Sequence, residues 1–338
     1  MRRQIRVVLD HGARWFGVLR WLEARMQAGL TVLTYHRVLS EKQCEGYPFP
    51  SLVMPDSMFA EQVAWLADHA EVLPLSAALD ALNRPRSKPL VAITFDDGYW
   101  DNFEIVAPIL EAKGLRATFF VTSNFVESGE LMWFDLAVGA VRKATDDALL
   151  SAARAHEIVP PTAREIEENR LRAWIEALKL TPHQRRTAFV EQLAAGDDGA
   201  KSGALYRPMR IEQVAALARR GHEIGSHSAS HEILPLATDA ELEEVLRESR
   251  EKLQKWIGAP VPGFCYPDGS HDARVVTATG RAGYRYACTT EPPEGLHPRD
   301  PLRMGRIDIT RTRVTRPGGA FDLVAFRAEV CRLHEAVR

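Results

Sequence analysis

Between residues 31 and 309, short β-rich runs alternate with stretches of helical period, the order that builds a parallel sheet with helices outside it. Strands are predicted at 31–35, 90–95, 116–122, 222–226, 262–266, 284–289 and 304–309. The intervening helices carry readable stops, since 102–113, 211–220 and 240–257 run into Gly114, Gly221 and Gly258, and glycine tolerates the left-handed conformation that ends a helix. Thr238 with Glu241 three residues on is a capping box for the last of these. Seven strands with helical crossovers fit a barrel or an open doubly wound sheet, and periodicity alone leaves both open.

Residues 130–205 break the alternation between the third and fourth strands. This stretch is predominantly helical, with a start signal at Thr181, Pro182 and Gln184 and a stop at Gly196, and reads as an insertion rather than an independent domain. Residues 1–30 have a helical rhythm, with Trp15, Phe16 and Leu19 near one face. Six arginines there oppose only Asp10 and Glu23. A basic amphipathic helix suits peripheral contact with an anionic membrane through residues 1–28, or packing on the domain with a charged face outward. The division expected is therefore a helix over 1–30, a barrel over 31–315 and a closing helix over 316–338.

Composition narrows the class. With 46% apolar and 26% charged residues in 338, the chain can bury a core and disorder is excluded. Lys plus Arg (43) against Asp plus Glu (45) gives a net charge of −2, which argues against a nucleic-acid binder. Cys44, Cys265, Cys288 and Cys331 form no CxxC pair, so free thiols in a reducing compartment are expected rather than a zinc ribbon or redox site. No run approaches a membrane span and no secretion signal is visible, so the expected location is cytoplasmic, peripheral at the membrane.

The chemistry gathers at strand ends. Thr94-Phe95-Asp96-Asp97-Gly98 places two adjacent carboxylates where an apolar strand runs into a glycine turn. Neighbouring side chains at a strand end point apart, so one can bind a metal while the other stays free as a base. Gly225-Ser226-His227-Ser228-Ala229-Ser230-His231 follows another strand, and histidines four apart on one side of a helical turn can reach a single ion. An Asp-His-His set with open positions also describes non-haem iron oxygenases, but those have no use for a second adjacent carboxylate.

Together these motifs resemble the polysaccharide deacetylases, the fourth family of carbohydrate esterases. The resemblance spans roughly residues 32–309 and implies an α/β fold, a distorted (β/α) barrel with a helical insertion. It implies Asp96 as general base, a divalent ion, zinc first, on Asp97, His227 and His231, and an acetylated saccharide or polysaccharide as substrate. Phe264-Cys265-Tyr266-Pro267-Asp268-Gly269 matches the family's third motif, which makes the Asp268 N–H an oxyanion donor.

Two departures follow. Cys265 stands where many members have an arginine that braces the base, and Arg306 and Arg37 are both open as replacements. The late Leu-x-x-His segment that usually supplies the general acid is absent from Leu302-Arg303-Met304-Gly305-Arg306-Ile307-Asp308, whereas Thr34-Tyr35-His36-Arg37-Val38 closes the first strand. That layout is similar to the permuted poly-N-acetylglucosamine deacetylase branch and implies His36 as the acid, with His271 and His297 as rivals. Both strand ends of a barrel open on one face, so the exchange is geometrically reasonable.

Overall fold

The computed structural model describes residues 29–194 and 204–332. Its strands are β1 (Leu30–Tyr35), β2 (Arg37–Leu39), β3 (Val53–Pro55), β4 (Glu71–Val72), β5 (Leu90–Phe95), β6 (Thr118–Val121), β7 (Glu223–Ser226), β8 (Gly263–Cys265), β9 (Tyr286–Cys288) and β10 (Ile307–Asp308). Seven run in the order β10-β1-β5-β6-β7-β8-β9, all parallel, and β4 pairs with β5. A parallel bridge from Cys288 to Met304 ties β9 to the run that continues into β10. The sheet therefore curls on itself as a distorted (β/α) barrel, which decides between the two architectures that periodicity allowed. All seven expected strands are present. The short β2 and β3, paired in a sheet of their own, and β4 were not expected.

Side-chain alternation sorts the strands into two layers. Leu33, Val91, Ile93, Phe95, Phe119 and Ile224 pack outward under the helices. Leu90, Ala92, Phe120, Cys265, Tyr286 and Met304 form a second cluster with the helix Leu75–Ala81. Gly225 and Gly263 make room for this filling, because a Cβ there would lie 2.4 Å from the Phe120 ring and 2.3 Å from the Tyr286 ring. Helix Leu75–Ala81 lies across the entry ends of β6 and β7, where the Leu75 amide donates to Thr118 Oγ1 and Ser76 and Tyr286 donate to Glu223.

The expected helices at 211–220 and 240–257 are Ile211–Arg219 and Asp239–Ile257, the latter with the Thr238–Glu241 box formed and Gly258 left-handed at its end. The run expected as one helix over 102–113 is instead a wide π turn, Asn102–Val106, followed by Ala107–Glu111. Pro108 has no N–H for the preceding turn, and the wider winding accommodates that loss.

The stretch expected as an insertion holds four α-helices among its described residues: Trp133–Lys143, Asp146–Ala155, Ala163–Lys179 and His183–Ala194. They have a core of their own, in which Val141, Leu149, Trp174, Leu178 and Phe189 are buried and Ile233 enters from the barrel. The stop expected at Gly196 lies outside the described residues, as do residues 1–28 of the expected N-terminal helix. Near the C-terminus the helix is Leu323–Val330, capped by Asp322, and follows a turn closed by the Arg316 amide on the Ala320 carbonyl. All four cysteines are buried and lie outside any disulfide. Among the described residues, no helix is long and apolar enough to cross a membrane.

Candidate active site

The expected site residues follow the exit ends of the strands: His36 after β1, Asp96 and Asp97 after β5, His227 after β7 and Asp268 after β8. Parallel strands deliver them to one rim.

Asp96 and Asp97 diverge because Asp97 is left-handed (φ 77). Such a backbone costs about 1–2 kcal/mol for a residue with a Cβ, so the surrounding bonds must hold it. The Asp96 amide donates to the Tyr35 carbonyl and the Thr122 amide to the Asp97 carbonyl, pinning the turn between β1 and β6.

Asp97 meets both histidines. Its Oδ1 lies 3.5 Å from His227 Nε2 and 3.6 Å from His231 Nε2, and the ligand atoms of all three lie within 4.8 Å of one another. These separations are long for hydrogen bonds. They suit the edges of a coordination tetrahedron, since two ligands each ~2.0–2.1 Å from a zinc ion stand ~3.3–3.4 Å apart. His227 Nδ1 bonds the Cys265 carbonyl at 2.8 Å, which turns Nε2 toward Asp97. Burial, with His227 beside it, pushes His231 down to about 3, whereas burial at His227 is outweighed by the neighbouring Cys265 and Asp97, which push that ring up. The three residues thus fit a divalent ion.

A second set, Asp96, His227 and Cys265, is equally compact. Its chemistry fits less well. Burial pushes the Cys265 thiol up to about 11, so it stays protonated, and Asp96 is already engaged elsewhere.

That engagement is with Arg306, whose Nη1 and Nη2 donate to the two Asp96 oxygens at 2.8 and 2.7 Å. Burial alone pushes the Asp96 carboxyl up, but the Arg306 guanidinium outweighs it, and the carboxyl lies well below the usual range. Nη2 also reaches Cys265 Sγ at 3.0 Å, so a guanidinium from the start of β10 brings its charge to the place where the family's arginine is missing. Arg37, the other candidate, is committed to Asp101 at 2.7 and 2.9 Å.

His36 Nε2 stands 4.0 Å from Asp96 Oδ2, on a side chain 20% exposed. Its rivals are placed differently: His271 bonds the Gly269 carbonyl and Arg303, and His297 lines a cavity with Leu30, Val32 and Arg299. Asp268 is left-handed (φ 56) in a turn closed by Gly269 N–H to Tyr266 and Ser270 N–H to Pro267, bonds that leave its own amide uninvolved.

One local expectation is corrected. His227 and His231 do not share a helical turn; the segment is a loop in which Ser228 (φ 66) and His231 (φ 56) are left-handed. The Ser123 and Asn124 amides donate to the Ser228 and Ala229 carbonyls, and this bonding to the start of helix Ser123–Ser128 replaces the helical pattern.

Residues outside the motifs also reach the site. Trp133 Nε1 donates to the His231 carbonyl at 3.0 Å, Phe134 meets the His231 ring edge-on at 5.0 Å, and Lys179 pairs with the Asp268 carboxylate at 2.7 Å. All three lie in the helical stretch, whose sequence signals only its own amphipathic core.

Comparison with known proteins identifies the family. A family model described as polysaccharide deacetylase matches residues 83–287, and the chain belongs to that family. YxkH of Bacillus subtilis (strain 168), itself assigned only provisionally as a polysaccharide deacetylase, is 22% identical over 301 residues, which are 88% of this chain and 75% of that protein. The Streptococcus pyogenes deacetylase PplD, solved in complex with acetate, has a TM-score of 0.55 at 16% identity, over 84% of this chain and 94% of its own. IcaB from Ammonifex degensii has a TM-score of 0.54 at 17% identity, over 84% and 93%. These likenesses show the fold.

Proposed function

We propose that the chain is a divalent-metal-dependent hydrolase, with zinc as the first candidate ion, that removes acetyl groups from N-acetylated amino sugars of a saccharide or polysaccharide. One observation carries this reading: of two adjacent carboxylates, Asp97 converges with His227 and His231 while Asp96 is held ionised beside them by Arg306.

Asp97, His227 and His231 would hold the ion, which when bound supplies Lewis-acid polarisation of the acetamide carbonyl. Asp96 accepts a proton from the attacking water, and Arg306 keeps that carboxylate charged and aimed. The Asp268 N–H donates to the oxyanion as the carbonyl becomes tetrahedral. His36 gives a proton to the sugar nitrogen as the C–N bond breaks, leaving acetate and a free amino sugar. Need for that acid favours an amide over an O-acetyl ester, whose leaving alkoxide demands less of it. An oxygenase reading gives Asp96 no role.

The basic stretch 1–28 supports a cytoplasmic enzyme held at an anionic membrane face, acting on a precursor or lipid-linked saccharide. Binding to anionic vesicles that weakens with salt and disappears on deletion of 1–28 is the expected result.

The deciding experiment loads the protein with Zn²⁺ and measures acetate from a panel of N- and O-acetylated saccharides. N-acetylated substrates should release acetate, and Asp96→Asn should retain the ion but lose turnover. Release from O-acetyl sugars alone would make the enzyme an esterase, and release from none would leave a binding barrel.

A further inference from the structure

The two histidines of the triad are held by different means. His227 is fixed through its own ring, by Nδ1 on the Cys265 carbonyl. His231 lacks that anchor, since its Nδ1 is buried without a partner among the described residues and its backbone is left-handed (φ 56).

What holds His231 comes from helix Trp133–Lys143. The Trp133 indole N–H donates to the carbonyl oxygen of His231 itself, and Phe134 abuts the ring. Trp133 is in turn fixed by Arg186 on the neighbouring helix His183–Ala194, whose guanidinium lies 4.1 Å over the indole. Arg186 is 1% exposed, its Nη2 meets His183 Nδ1 at 3.4 Å, and its Nε and Nη1 have no partner among the described residues, so the ring face is a principal contact.

We infer that Trp133 is a positioning residue for the ion site. By holding the His231 carbonyl, its indole N–H secures an unfavourable backbone conformation and aims His231 Nε2 at Asp97. The helical segment is thereby an outer shell of the metal centre rather than an appendage of the barrel. The inference rests on the metal reading above and goes beyond it, because no motif residue of the barrel performs this task for His231. A metal-ligating histidine is commonly oriented through its second ring nitrogen, and loss of such an outer partner weakens metal binding roughly 10–100-fold. Here the same work falls to a backbone bond.

The test measures Zn²⁺ and Co²⁺ dissociation constants, by competition with a chromophoric chelator, for the full chain, Trp133→Phe and Phe134→Leu, together with the visible spectrum of bound Co²⁺. Trp133→Phe keeps the aromatic packing and removes the donor; it should weaken both ions by roughly tenfold or more and change the Co²⁺ spectrum. Phe134→Leu, which leaves the indole bond in place, should show a smaller loss. A folded Trp133→Phe with the parent's affinity and spectrum overturns the inference while leaving the metal reading intact. If that variant does not fold, replacement of the Trp133 indole by its isosteric benzothiophene, which lacks the N–H, decides, and parental affinity there overturns the inference. A parent chain that binds neither ion overturns both readings.

Discussion

The strand ends of the barrel and the helical segment beside them both bury charge, and they treat it in opposite ways. At the strand ends it is paired: Arg306 clamps Asp96 through two bonds and Arg37 does the same for Asp101, with all four side chains almost fully buried. In the helical segment it is nearly alone. Among the described residues, Arg186 has two nitrogens without partners, and Asp135 accepts from the Tyr99 hydroxyl alone, at 2.7 Å. Asp96 is held down and Arg306 and Arg37 up, all three toward charge, although burial still pushes Asp101 up; in the helical segment burial pushes Asp135 up to about 7 and Arg186 down to about 10, both toward neutrality. A base must be ionised to accept a proton, so the half of the molecule proposed to do the chemistry needs an ion-pair partner. The half that backs it needs shape and a dry surface.

The sharpest test of that division is at His36, a strand-end residue with a catalytic assignment. His36→Ala should lower amide hydrolysis by roughly 10²–10⁴-fold, the usual worth of a positioned acid. Loss on an activated aryl acetate, whose leaving group needs little protonation, should be far smaller. Equal losses on the two substrates would reduce His36 to a structural residue.

Next in size is Arg306→Met. Removing one partner of a buried ion pair leaves an uncompensated charge and typically costs about 3–5 kcal/mol. Denaturant unfolding should show it. Without the guanidinium, burial is free to raise the Asp96 carboxyl, so the acidic limb of the pH–rate profile should move to higher pH. A destabilised variant with an unmoved profile would separate Arg306 from the base.

Asp135 tests the other half through pH. In the unfolded chain it ionises near the ordinary value of about 4, but in the folded protein it keeps its proton to about pH 7. Between those limits the folded state binds the extra proton, so its contribution to stability is greatest at the acidic end and falls as pH rises, by up to about 1.4 kcal/mol per unit. Asp135→Asn should flatten the fall. An unchanged slope would mean that Asp135 is ionised in place.

Smallest is Arg186→Met. The lost stack on Trp133 and the relief of a buried cation whose Nη2 alone meets a hydrogen-bonding partner, His183 Nδ1, among the described residues oppose each other, and the net change in unfolding free energy should lie within about 1 kcal/mol. A loss as large as that for Arg306→Met would erase the contrast between the regions.

The motif residues were legible because each depends on a short stretch: an apolar strand, a turn, and the side chains the turn presents. Asp96-Asp97-Gly98 and His227 to His231 need no knowledge of the rest of the chain to be paired with a strand end. The helices at Ile211–Arg219 and Asp239–Ile257 were legible for the same reason, through period and caps. Less local features were read imperfectly. The loop from His227 to His231 looked helical by spacing, but bonds to Ser123 and Asn124, more than a hundred residues away, decide its path.

By itself, then, the sequence determined the strand-and-helix order, the paired carboxylates, the two histidines and the early His36, all of them set by propensity and spacing within about a dozen residues. Only the tertiary structure decided which arginine stands on Asp96. Arg306 and Arg37 have the same chemistry, and the choice follows from β10 pairing with β1, which carries Arg306 to Thr94 and Asp96, while β2 carries Arg37 to Asp101. It also decided that Trp133, Phe134 and Lys179 stand at the site. Such contacts join segments about ninety or a hundred residues apart, and nothing in the local pattern of either partner records where the chain will bring the other.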